Sequence, residues 1–264
     1  MSEAHLTALK VESLAPARTI AVRAREGKSP SSGPSLFWLG GFKSDMKGTK
    51  AEALDRWAEE QGRGCVRFDY SGHGESDGDF TAGTIGRWLE ESIAVYARFA
   101  QGPQVVVGSS MGGWLALLMA QRLRERQEKK EPVAPIAGMV LIAPAVDFTE
   151  ELMWKPFPKE VKRQIMDKGA WMRPSEYSEA PYPITKGLIE DGRKHLLLGG
   201  LIEIGCPVHI LQGVQDPDVP WRHAVELVSH FARDDVVLTL IKDGDHRLSR
   251  PEDIERLLAA VKEF

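Results

Sequence analysis

Ser110 stands in the frame Gly108-Ser109-Ser110-Met111-Gly112, with Val105, Val106 and Val107 before it and the apolar run Trp114-Leu115-Ala116-Leu117 after it. β-branched residues followed by an apolar helix-period run read as a buried strand entering a helix, which puts this serine at the apex of a sharp strand-to-helix turn. Such a turn brings backbone close to the side chain at its apex, so the positions two before and two after must lack a bulky group. Gly108 and Gly112 meet that demand. A hydroxyl there is a candidate nucleophile, and a poor one until a base removes its proton and a third group fixes that base's tautomer and charge. The plainer alternative is that Ser109 or Ser110 caps the helix N-terminus and does no chemistry.

The base and its partner belong on loops that follow later strands, because parallel sheets gather their reacting groups at the carboxyl ends of strands. Asp216, in Gln212-Gly213-Val214-Gln215-Asp216, and His246, in Asp243-Gly244-Asp245-His246, both follow stretches of apolar strand character. Serine, then aspartate, then histidine is also the chain order in which such an elbow acquires its partners. Of the seven histidines, His5 lies near a terminus, and His195, His209, His223 and His230 fall inside expected helices or strands. His73, between Gly72 and Gly74, is the competing base, although it precedes the serine. For the acid, Asp218 and Asp245 compete, and so does Asp147, which follows the strand next after the serine's own. A tetrahedral intermediate carries negative charge on the former carbonyl oxygen and needs backbone donors aimed at it. The N–H of Met111 is one candidate; the other is the N–H of Phe42, with Gly41 as alternate, in the loop Gly40-Gly41-Phe42.

These groups need a scaffold. Strands are expected over Thr19 to Arg25, Leu36 to Leu39, Cys65 to Tyr70, Ile136 to Ala143, Val208 to Leu211 and Val236 to Ile241, the first of them as an outer strand. Helices are expected over about Thr49 to Gln61, Thr84 to Ala100, Trp221 to Ala232 and Pro251 to Lys262, in addition to the one after Ser110. That alternation argues for an α/β fold with parallel strands joined by crossovers. It lapses from Val146 to about Gly200, where Met153, Trp154, Phe157, Met166, Trp171, Met172, Tyr177 and Tyr182 crowd one segment. We expect an insertion over the sheet edge, part of it a lid that binds the apolar end of a substrate, with Trp154, Trp171 and Met172 as candidate binding residues. The plainer alternative is that these side chains only pack the insertion onto the main body.

Several classes are disfavoured. A formal charge of -4 with scattered Lys and Arg offers no basic face for nucleic acid or an anionic membrane. Gly72-His73-Gly74 fails as a dinucleotide fingerprint, because the third glycine would fall on Asp77; Gly108 to Gly113 lacks the Lys-Ser/Thr of a phosphate loop. With no clustered Cys/His ligands, neither a cofactor nor a metal is called for. Cys65 and Cys206 lie far apart and are expected as reduced, buried thiols. The start Met1-Ser2-Glu3-Ala4-His5-Leu6 shows no signal-like pattern and no run is long enough for an integral membrane segment, so a soluble cytoplasmic protein is expected.

Taken together, Arg67-Phe68-Asp69-Tyr70-Ser71-Gly72-His73-Gly74-Glu75-Ser76, the elbow Gly108 to Trp114, and Gly213-x-x-Asp216-x-x-Val219-Pro220 resemble the α/β-hydrolases. Gly48-Thr49-Lys50-Ala51, Lys168-Gly169-x-Trp171-x-x-Pro174-Ser175-x-Tyr177-Ser178, Pro220-Trp221 and Asp245-His246-Arg247 are similar, more narrowly, to the animal mitochondrial acyl-glucuronide esterase and palmitoyl-protein thioesterase family. The resemblance implies an α/β-hydrolase fold, a mostly parallel central sheet flanked by helices. Residues 1–264 would form one domain, with a small lid insertion at 146–200 after the sixth strand. It further implies a serine hydrolase acting on an acyl ester or thioester, small-molecule or acylated protein, with Ser110, Asp216 and His246 as catalytic triad. Two rivals stay open: acyl transfer on the same triad, and a non-catalytic binding protein that keeps the fold.

Overall fold

The computed structural model describes residues 4–11, 17–29, 32–174 and 181–264, so Tyr177, and with it Ser175 and Ser178 of the motif above, lies outside the described residues. Every residue of β5 (Gln104–Ser109) is buried. A strand covered on both faces has no polar side to show, which is why three valines stand in succession. Val106 joins one core cluster together with Phe37 and Leu39 of β3 (Ser35–Leu39) and Met139 and Leu141 of β6 (Ile136–Ile142). Val105 and Val107 join the other, with Leu36, Trp38, Val140 and Ile142, as the two-residue period of a strand requires.

The remaining strands of this sheet are β1 (His5–Val11), β2 (Arg18–Arg25), β4 (Cys65–Phe68), β9 (Val208–Gly213) and β10 (Val236–Ile241). Among the described residues the order is β1-β2-β4-β3-β5-β6-β9-β10. β2 runs antiparallel to both β1 and β4, and every other pairing is parallel. The stretch expected as an outer strand is therefore second in the sheet. β1 covers it, and β1 escapes a pattern search because nearly all of its residues are exposed, leaving no buried face to set a period.

Helices cover both faces. α1 (Thr49–Gln61) and α7 (Pro251–Lys262) bring Ala51, Leu54, Trp57, Leu257 and Val261 to the second cluster. α2 (Ile85–Phe99), α3 (Met111–Glu128) and α6 (Trp221–His230) bring Trp88, Tyr96, Trp114, Leu117 and Leu227 to the first. The boundaries follow local chemistry: Thr84 caps α2 by accepting the Arg87 N–H, Pro251 opens α7 where no N–H is needed, and α1 stops at left-handed Gly62.

Between β6 and β9 the chain leaves the sheet. It forms a π-helical turn (Thr149–Trp154), α4 (Lys159–Lys168), a two-stranded antiparallel pair β7 (Ala170–Arg173) and β8 (Tyr182–Thr185), then α5 (Lys186–Gly192). Buried Asp147, at the exit, accepts the N–H groups of Leu197 and Leu198 at the return, at 2.9 to 3.0 Å. α5 is tied to the main body by Asp191, which accepts the Gly86 N–H at 2.7 Å in the first turn of α2. Gly192 lies so close to Thr149 that a Cβ would stand 2.2 Å from its hydroxyl oxygen.

Candidate active site

Ser110 adopts φ 54° and ψ -119°, a conformation an L-residue holds only when its surroundings enforce it. They do. Its N–H donates to Ile142 O at 2.8 Å, its carbonyl accepts from Ala145 at 3.1 Å, and both contacts bind the turn to the end of β6. A Cβ on Gly112 would meet Leu39 O at 2.1 Å, and one on Gly108 would meet Gly112 O at 2.5 Å, so both glycines are steric necessities. Ser110 does occupy the N-cap position of α3, yet its side chain makes no capping hydrogen bond. The hydroxyl points instead to His246, with Oγ 3.1 Å from Nε2.

The other face of that imidazole meets Asp216: Nδ1 lies 2.8 Å from Oδ2. The Asp216 side chain is wholly buried and anchored by its other oxygen, which accepts the N–H groups of Asp218 and Val219, each at 2.8 Å. Fully buried Gln212 completes the cradle, its amide donating to Asp216 Oδ2 at 3.2 Å and to Val219 O at 3.0 Å. The loops after β9 and β10 are pressed together at Gly213, where a Cβ would lie 2.4 Å from Gly244 O and 2.6 Å from Asp245 O. Gln212 was not singled out from the sequence. The available signal is a second polar residue, after His209, in a strand buried along its whole length, where the amide N–H groups need acceptors.

The competing residues are engaged elsewhere. Asp147 holds the insertion closed, and burial raises its carboxyl above the usual range. Asp245 accepts the Leu248 N–H at 2.9 Å and shapes the turn after His246. His73 is buried, with Nε2 accepting the Lys43 N–H at 3.1 Å. Asp218 stays at the site's edge, and among the described residues Asp216, Asp218 and His246 are the one group of three or more His, Cys, Asp or Glu whose candidate ligand atoms fall within 4.8 Å of one another. Both His246 nitrogens in that group are already paired with Ser110 and Asp216.

Ser110 and His246 open on a cavity of about 560 Å³, a size typical of small-molecule sites. Met111 and Phe42 line it, and so does Gly41, where a Cβ would stand 3.3 Å from Ser110 Cβ. The Phe42 ring is held by Phe80, Phe148 and Tyr182, with centroids 5.0, 5.7 and 5.8 Å away. The insertion contributes Phe148, Leu152, Met153, Arg173 and Tyr182. Trp154, Trp171 and Met172 do not reach the cavity. Trp154 stacks under Arg193, Trp171 packs edge-on against Phe157, and Met172 faces outward at 49% exposure. The sequence expectation misses by one position at two places: Met153 lines the cavity beside Trp154, and Arg173 beside Met172, because successive residues of a strand or turn face different ways. The cavity rim also carries Lys43, Lys50, Arg173 and Arg247, against Asp45 and Asp218. Burial lowers the Lys50 ammonium to about 8 despite nearby Asp245. Cys65 and Cys206 are free, buried thiols, both pushed up to about 12 by desolvation.

A model of the alpha/beta hydrolase family matches residues 31–257. The human protein named palmitoyl-protein thioesterase ABHD10, mitochondrial, is 34% identical over 246 residues, covering 93% of this chain and 76% of its own length. Among solved structures, a putative hydrolase from Agrobacterium vitis S4 superposes with a TM-score of 0.93 at 47% identity, covering 98% of both chains. Alpha/beta hydrolase domain-containing protein 10 from mouse superposes with a TM-score of 0.83 at 32% identity, again over 98% of both. The cytoplasmic expectation is overturned here: the curated relatives that match over most of this chain are named as mitochondrial, and a missing signal-like pattern carries no weight against that. No helix among the described residues is long and apolar enough to cross a membrane.

Proposed function

The chain belongs to the alpha/beta hydrolase family, and we propose that it is a serine hydrolase that cleaves acyl esters or thioesters through an acyl-Ser110 intermediate. The observation that carries this reading is the row Ser110 Oγ, His246, Asp216, with 3.1 and 2.8 Å separations, opening on the cavity. In acylation the Ser110 oxygen attacks the substrate carbonyl while His246 Nε2 takes the hydroxyl proton. Asp216 keeps the remaining proton on Nδ1 and stabilises the imidazolium that forms. The oxyanion is received by the N–H groups of Met111 and Phe42. His246 then returns the proton to the departing alcohol or thiol. In the second half a water molecule, deprotonated by the same imidazole, attacks the acyl-serine carbonyl, and His246 returns that proton to Ser110 Oγ as the acid is released.

Phe42, Phe148, Leu152, Met153 and Tyr182 give the acyl group an apolar wall, and the segment 146–200 acts as a lid through the last four of these. The thioesterase names of the relatives favour a thioester among the substrates. A fluorophosphonate probe and a panel of p-nitrophenyl esters and acyl thioesters test the reading: labelling that Ser110→Ala abolishes, together with turnover, is expected. Folded protein that neither labels nor turns over any of them would reduce the chain to a binding module. Product analysis with an added alcohol separates hydrolysis from acyl transfer.

A further inference from the structure

His73 is the one histidine of the site region with no part in the row of hydrogen bonds to Ser110, and it is built in with care. Its ring sits among Tyr70, Phe80 and Trp88, with centroids 5.6, 5.2 and 5.2 Å away. The flanking glycines permit this: a Cβ on Gly72 would strike the Phe80 backbone at 2.6 Å, and one on Gly74 would lie 2.1 Å from Asp69 Oδ2. Packing alone would be served as well by phenylalanine. What phenylalanine lacks is an acceptor, and His73 Nε2 lies 3.1 Å from the Lys43 N, with Nδ1 3.3 Å from Ser71 O. The two partners select one tautomer, with the proton on Nδ1 donating to Ser71 and the Nε2 lone pair receiving Lys43. Lys43 itself holds φ 58°, a left-handed conformation that a lysine keeps only under constraint. It follows Phe42 directly, and the Phe42 ring rests on Phe80 and Trp88, two of the rings that hold His73.

We propose that His73 is a positioning residue for the oxyanion hole: by accepting the Lys43 N–H it fixes the loop that presents the Phe42 N–H to the Ser110 adduct. This rests on the acyl-Ser110 reading above, with Phe42 as second donor. Burial lowers the imidazole to about 4, so it remains a neutral acceptor through the neutral range. A base it is not, since the nitrogen that would take a proton is occupied by a backbone donor.

The test compares wild type, His73→Leu, which removes the acceptor, His73→Phe, which removes it but keeps a ring, and His73→Gln, whose amide oxygen reaches the place of Nε2. For each, kcat and KM are measured on p-nitrophenyl butyrate, along with the inhibition constant of butylboronic acid, whose serine adduct is tetrahedral. Losing the donor geometry should cost about ten- to a hundredfold in kcat and a similar factor in boronate affinity, with KM nearly unchanged, in the Leu and Phe variants. His73→Gln should recover most of both. If boronate affinity and kcat stay at the wild-type level without the acceptor, or if Gln is as impaired as Phe, the assignment is overturned. Leu failing to fold leaves Phe and Gln to decide. Should wild type itself neither label with fluorophosphonate nor turn over esters, the acyl-Ser110 reading falls and this inference with it. An active, labelled wild type that is insensitive to His73 sinks the inference alone.

Discussion

Gly213→Ala tests how closely the row of hydrogen bonds depends on the approach of two loops. The alanine Cβ would stand 2.4 Å from Gly244 O and 2.6 Å from both Gly244 C and Asp245 O, where ordinary contact begins at 3.4 Å. All three obstacles are backbone, so no side chain can swing aside, and one loop must yield by about 1 Å. The loop after β9 carries Asp216, three residues on; the loop after β10 carries His246, next to Asp245. Displacement of that size between base and nucleophile costs about a hundredfold in rate, while overpacking costs about 1–3 kcal/mol of stability. We expect kcat on p-nitrophenyl butyrate to fall about a hundredfold with KM little changed, and fluorophosphonate labelling to slow in parallel. Gly199→Ala, where a Cβ meets nothing within 4 Å, serves as the control and should behave as wild type. Wild-type kcat in folded Gly213→Ala would refute the idea that this contact sets the position of the base.

Asp216→Asn should leave the fold intact and cut the rate by about 10⁴, the cost of the wrong imidazole tautomer, whereas Asp147→Asn should lower the melting temperature and spare turnover of acetyl esters; the reverse pattern would move the acid to Asp147. Leu152→Ala, at the cavity wall, should flatten the rise of kcat/KM with acyl length, which is at most about fourfold per methylene at roughly 0.8 kcal/mol each. Trp171→Ala should instead reduce the melting temperature and leave the length profile alone; a flattened profile would return Trp171 to the substrate. Lys50, whose ammonium donates to Arg247 O and Ser249 Oγ, keeps its proton up to 10.5 in the unfolded chain but only to about 8 in the fold. The unfolded chain therefore binds more protons between those values, and wild type should gain stability relative to Lys50→Met as pH rises from 8 to 10.5. A melting-temperature difference that does not vary with pH would count against a half-buried, desolvated ammonium.

The elements that position Ser110 were legible in the sequence because burial on both faces leaves an unbroken apolar run, and because two glycines at fixed spacing have a steric cause. Asp216 and His246 were legible for a related reason, each following a strand that ends in a glycine-bearing loop. β1 was missed because an exposed edge strand has no period. Trp154 and Met172 were misassigned to the cavity because size and apolarity tell which residues are buried or wide, and say nothing of which way a short turn or a four-residue strand faces. Asp147 looked like an acid by position; its hydrogen bonds to residues fifty positions away belong to tertiary structure that no local pattern carries. His73 stands out in the sequence only as a candidate base between two glycines, while the Lys43 N–H that engages it lies thirty residues earlier.

The closure of the insertion by Asp147 bears on how such a protein can diversify. Because its departure and return are fastened at one carboxylate, the main sheet experiences the whole excursion as a loop of almost no span, and lengthening a loop costs only about 0.6 kcal/mol per doubling. Segments of different length and shape are thus interchangeable at this point, provided a graft keeps the two N–H groups that Asp147 receives and an acceptor for the Gly86 N–H, which Asp191 now supplies. Five residues of the cavity wall travel with the graft, while Ser110, Asp216 and His246 stay behind on loops of the sheet. Preference for one acyl chain over another can then drift from lineage to lineage without renegotiating the geometry of bond cleavage.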